Sequence, residues 1–221
     1  MFDRRSLTDE LAGIRDDHAP DALVFDTQRD FETLPPSVGE NLIAVVEGVD
    51  PLSYDESWIP DEAPETLSRL ASESFTVGAP GDGGVCWTQQ TTPPAVFVKP
   101  RLAGSPDGFV RFLIAEALVE IGLDCSEHFL GFFGDTYPDF VDVVPLSPSG
   151  AYQLAAALHT AHIGLRTRDV FADWTDAYPD LHAEWVDAGE RLEPRLEGLS
   201  RDVAVGGTDF ADATELACSR V

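Results

Sequence analysis

SFTVGAPGDGGVCWTQQTTPPAVFVKPRL, residues 74–102, is the stretch whose reading decides the fold class. SFTVG (74–78) and VCWTQQT (85–91) flank the glycine-rich APGDGG (79–84), the pattern of two short strands joined by a turn. After Pro93 and Pro94 comes AVFV (95–98), apolar and β-branched until Lys99, which predicts a third strand, buried in the core.

Working outward, Ser105, Pro106 and Asp107 stand in the order of cap, proline and acid that opens a helix, and Gly122 closes it. EHFLGFF (127–133) and FVDVV (140–144) read as two more strands around the turn GDTYPD. Ser147 and Pro148 open a second helix with the apolar stripe Ala151, Leu154, Ala155, Leu158, Ala161 and Leu165, ending near Gly164. The order over 74–165 is thus β-β-β-α-β-β-α. It predicts an α+β fold: a small antiparallel or mixed sheet over about residues 75–144, packed by helices at 106–122 and 148–165.

The flanks read as helix and loop. Residues 6–17 form a predicted helix, with Ser6 and Asp9 at capping-box spacing, Leu7, Leu11 and Ile14 on one face, and Pro20 ending it. NLIAVVEGV (41–49) is a strand or a short helix, PLSYDESWIPDEAPE (51–65) an acidic loop, and a helix follows near 64–73. Beyond 166, Leu181, Trp185, Ala188 and Leu192 recur at helical spacing, Pro194 marks a break, and Thr208 or Asp209 caps a last helix. One domain over 1–221 is expected, with an amino-terminal segment 1–73, the core 74–165 and a helical segment 166–221.

Charge bounds the environment. Lys99 is the one lysine; with 13 arginines it faces 40 carboxylates, for a net charge of −26. The acids are scattered through a chain that is 43% apolar, so this is a folded protein and not an acidic tail. Molar salt relieves the repulsion, because the Debye length shrinks from about 10 Å at 0.1 M to about 3 Å at 1 M. Lysine stems expose methylenes that strong salt drives together, which explains why the cations are arginines. The composition resembles that of salt-in halophilic archaeal proteins, a resemblance that covers the whole chain as a bias and implies no activity. Such a surface excludes unassisted binding to nucleic acid or anionic lipid. No stretch has the length and apolarity of a membrane span, since FVRFLIAEALVEIGL (109–123) is broken by Arg111, Glu116 and Glu120. Cys86, Cys125 and Cys218 lack disulfide or zinc spacing, and a cytoplasmic location is expected.

Two constellations could carry chemistry. A glycine-rich turn (Gly78, Gly81, Gly83, Gly84), a strand ending at Lys99 and a helix bearing Glu116 stand in the order that cradles phosphates in phosphoryl transfer. That order, with HIGLRTRDV (162–170) and TDFAD (208–212), resembles the protein kinases over about residues 75–170. The resemblance implies nucleotide binding, with Gly78 and Gly83 at the phosphates, Lys99 contacting them, Glu116 holding the lysine, Asp169 as base and Asp209 at a metal. The chain departs from the family at Pro80, Thr167 and Trp174, where a glycine, a histidine and an asparagine belong, and only twelve residues follow Asp209. The second constellation is His159 and His162, three apart on one helix, able to share a metal if the fold adds a third ligand.

No complete catalytic set is present, and the sequence assigns no cofactor. The expected function is therefore non-catalytic: contact with another protein or with a second copy of this chain. A nucleotide-binding, kinase-like protein and a small metal enzyme are the alternatives.

Overall fold

The computed structural model describes residues 2–34, 41–72, 74–79 and 83–220 and falls into two compact units, one of residues 1–56 and 66–127, the other of 57–65 and 128–221.

In the first unit β1 (Phe2–Arg4), α1 (Asp9–His18), β2 (Leu23–Thr27), β3 (Gly48–Val49) and α2 (Glu65–Ala71) precede β4 (Val85–Thr88), β5 (Thr91–Thr92), β6 (Ala95–Val98) and α3 (Asp107–Gly122). Four strands form a mixed sheet in the order β1-β2-β6-β4, in which β2 and β6 are parallel and the other pairs antiparallel. β3 and β5 make a separate antiparallel pair. The fold is α+β, a small mixed sheet packed by helices.

All four residues of β6 are buried and none is polar, so both faces of the strand need cover. Phe25 and Phe97, partners in the parallel register, stack at 6.0 Å between centroids. They join Leu23, Leu34, Leu42, Val77, Cys86 and Ala95 in one cluster, on which Phe2, Phe31 and Phe75 pack. α3 lies against β4 and β6, with α1 on α3. A methyl on Gly122 would collide with the His18 carbonyl, so the close approach of the two helices requires glycine there.

Several local expectations change. SFTVG is not a strand; VCWT instead pairs with AVFV, Val85 opposite Val98 and Thr88 opposite Ala95. The parallel neighbour of β6 comes from ALVFDT (22–27), a run too short among acids to stand out. Of NLIAVVEGV, only Gly48 and Val49 form a strand, and Ile43 is 61% exposed. Thr8, not Ser6, caps α1 by accepting from the Leu11 N–H. Part of the glycine-rich turn, Pro80 and Gly81 included, lies outside the described residues.

The second unit is helical: α4 (Phe129–Phe133), α5 (Tyr137–Val143), α6 (Pro148–Ala172), α7 (Trp174–Ala177), α8 (Pro179–Leu196), α9 (Leu199–Ala204) and α10 (Phe210–Cys218). EHFLGFF and FVDVV are thus helices and not strands. Their aromatics follow the helical period: Phe129, Phe133, Tyr137 and Phe140 form a continuous ring cluster with neighbouring centroids 4.9–6.4 Å apart. Tyr137-Pro138-Asp139 also carries the proline and acid of a helix start.

Ser147 caps α6 by accepting from the Gly150 N–H, and Asp209 caps α10 by accepting from the Asp212 N–H. α6 continues through Gly164 to Ala172, because a helical glycine costs only about 1 kcal/mol and no left-handed residue stops the chain there. Its buried line is Tyr152, Ala155, His159, Ile163, Thr167 and Phe171, so the expected stripe is wrong at Leu158 and Leu165, which are exposed. α8 runs past Pro194 to Leu196 and ends before Gly198, whose φ is 81°. Among the described residues no helix is long and apolar enough to cross a membrane.

Candidate functional site

β6 delivers Lys99 to the core of the first unit. The Lys99 N–H donates to the Gly84 carbonyl at 2.7 Å, extending the β4–β6 ladder by one rung. Its side chain then runs inward: the residue is 1% exposed, and Nζ lies 4.9 Å from the centroid of the Phe31 ring with no hydrogen-bond partner among the described residues. Phe31 packs in turn on Phe97. Asp30 and Glu32 beside it are bound by Arg101, at 2.8 and 2.6 Å. Hydrogen bonding from Arg101 holds the Asp30 carboxyl below its usual range, helped by the Phe31 N–H and by the charges of Arg101 and Lys99, against a smaller effect of burial.

Glu116 is elsewhere on this unit. It sits half-buried on α3, and no hydrogen bond or ion pair joins it to Lys99. Burial, with the charge of Glu120 one turn on, raises its pKa to about 8. Glu120 accepts the indole N–H of Trp87 at 2.6 Å, and Glu127 accepts from Thr88 Oγ1, the Gln89 N–H and Gln90 Nε2. These carboxylates tie α3 and its exit to β4. Gly78 has a φ of 80° and closely approaches the Glu32 carbonyl, whereas a methyl on Gly83 would meet nothing within 4 Å among the described residues.

Glu116 gives a measurable pH dependence. An unfolded glutamate loses its proton near 4.5 and the native one near 8, so the native state holds more protons in that window and stability falls as pH rises through it. Glu116→Gln is expected to flatten this decline, gaining on the wild type at about pH 8 and not at about pH 4 in denaturant midpoints. His128 acts on the acid side. Burial, then the charge of His159, lowers its pKa to about 3, so the stability of the neutral native form is lost as pH falls below 6.5.

In the second unit His159 is buried and His162 half-buried on α6, with the Phe132 ring against both at 5.7 and 4.9 Å. Among the described residues no group of three or more His, Cys, Asp or Glu is arranged to hold a metal. Asp169 is exposed in the last turns of α6, 3.9 Å from Arg168, and Asp209 serves as a helix cap. Within the first unit Lys99 keeps company with Phe31 and Glu116 with Glu120, and within the second Asp169 and Asp209 stay with their own helices.

What the sequence reading missed are the partners, Phe31 against Lys99 and Phe132 beside the histidines. No local spacing marks either one. A further feature is the outer face of α6, where Leu158 and Leu165, 38% and 52% exposed, lie one turn either side of His162, with the 42% exposed Phe132 packed on that histidine.

Neither curated proteins nor solved structures offer a match to this chain. The model of a family of unknown function, DUF7089, matches residues 1–221, and the chain belongs to that family.

Proposed function

We propose that the protein works through protein contacts, that the outer face of α6 is the contact surface, and that its occupant is a second copy of this chain. The observation that carries the reading is the exposure of Leu158, Leu165 and Phe132 together on one face of the second unit.

The spacing is self-complementary. Leu158 and Leu165 are equidistant from the midpoint between Ala161 and His162, so two antiparallel copies crossing there set Leu158 of each against Leu165 of the other. Salt aids the contact twice, by screening the repulsion of two acidic chains and by strengthening apolar burial.

Sedimentation equilibrium in molar potassium chloride tests the reading. The wild type is expected to dimerise, more tightly as salt rises, and Leu158→Asp with Leu165→Asp to weaken the dimer at least tenfold, about 1.4 kcal/mol, with unchanged circular dichroism. A wild type that stays monomeric at high micromolar concentration overturns the assignment.

A further inference from the structure

We propose that Lys99 forms the cationic floor of a binding site in the first unit for the phosphate-type oxyanion of a small molecule, reached beside Phe31. The inference is independent of the contact reading, which concerns the other unit.

The first support is selective use. Thirteen of the fourteen cations are arginine, and the single lysine is the fully buried one. An arginine fork needs several acceptors in a plane, whereas an ammonium is a compact charge whose three rotatable donors suit a tetrahedral oxyanion. The second is the state of those donors. Nζ is held against the Phe31 ring, in cation–π distance of its centroid, yet donates to nothing among the described residues. A buried ammonium without acceptors is costly, and the near carboxylates are committed, Asp30 and Glu32 both to Arg101.

The ring against Nζ belongs to a surface segment: Phe31 is half-buried, and the side chains of Asp30 and Glu32 are 44% and 50% exposed.

The test uses the full chain in molar potassium chloride, with inorganic phosphate and Mg-ATP as separate probes and Lys99→Met as the variant. Without ligand the variant is expected to melt no lower than the wild type, because it loses a buried amine that has no acceptor among the described residues. Phosphate or Mg-ATP is expected to raise the wild-type melting temperature by several degrees in a saturable way and to leave the variant unmoved. A response to phosphate identifies the bare oxyanion as sufficient, and a response to Mg-ATP alone a nucleotide. Because the chain has one lysine, acylation by an N-hydroxysuccinimide ester followed by peptide mass mapping gives a second readout that needs no variant. The effective probe should slow labelling at Lys99 several-fold and leave the amino terminus unaffected. Equal melting shifts in wild type and variant, or no shift together with unchanged labelling, overturn the site.

Discussion

Transfer from molar potassium chloride to dilute buffer is expected to unfold the protein. Forty carboxylates face fourteen cations, and the described ion pairs lie near the surface, among them Arg5–Asp26, Arg101 with Asp30 and Glu32, and Arg111 with Glu10 in the first unit and Arg191–Asp187 and Arg220–Glu193 in the second. Pairs of this kind contribute about 0–1 kcal/mol each and cannot offset the excess negative charge. The second unit is the more vulnerable. From Asp169 to Glu190 it carries seven acids and no lysine or arginine, with Asp173, Asp176 and Asp180 exposed along α7 and the start of α8. Two charges about 4 Å apart repel by about 1 kcal/mol in water before screening, and a fold typically has only about 5–15 kcal/mol to lose. Circular dichroism during dialysis should show helix content falling as salt drops toward about 0.1 M, where the Debye length is about 10 Å, and recovering when potassium chloride is restored. Full stability at about 0.1 M would defeat the salt-adapted reading of the composition.

Phe97→Ala is expected to cost about 3–5 kcal/mol, a large part of the total stability. Phe97 is completely buried, and its ring meets those of Phe2 at 5.5 Å, Phe25 at 6.0 Å and Phe31 at 6.4 Å. Its removal leaves a cavity at the parallel β2–β6 pair, where the strand is covered on both faces and a neighbour can fill the space only by leaving its own packing. Phe97→Leu keeps most of the volume and should cost clearly less. Denaturant midpoints with an unchanged m-value would measure the difference; a loss under about 1 kcal/mol for the alanine variant would mean that the aromatic cluster is not the centre of this core. Phe31 couples this core to Lys99, so the alanine variant should also slacken the ring against the amine.

The candidate site was legible only in part. Lys99 stood out in the sequence because a charge ending an apolar strand, and the sole lysine of the chain, is unusual on both counts. That it sits against Phe31, and that Asp30 is taken by Arg101, depends on a segment about seventy residues upstream that no spacing rule connects to it. The histidine pair was legible as a pair. Its neighbour Phe132 was read on a strand, because the aromatic run from Phe129 to Phe140 was judged by residue type and not by its intervals of four, four and three.

By itself the sequence determined what depends on neighbours in the chain: β6 as a buried strand, the opening of α6 at Ser147-Pro148 and of α10 at Asp209, the helical carboxy-terminal region, and the acid excess. These follow from capping geometry, apolar patterning and composition, all of which act over a few residues or over the chain as a sum. The tertiary structure alone decided the parallel partner of β6, the burial of the Lys99 amine, and which side of α6 stays uncovered. Those outcomes turn on which distant apolar surfaces meet, and the free energy of that choice resides in packing between segments, which is written in no single stretch of the chain.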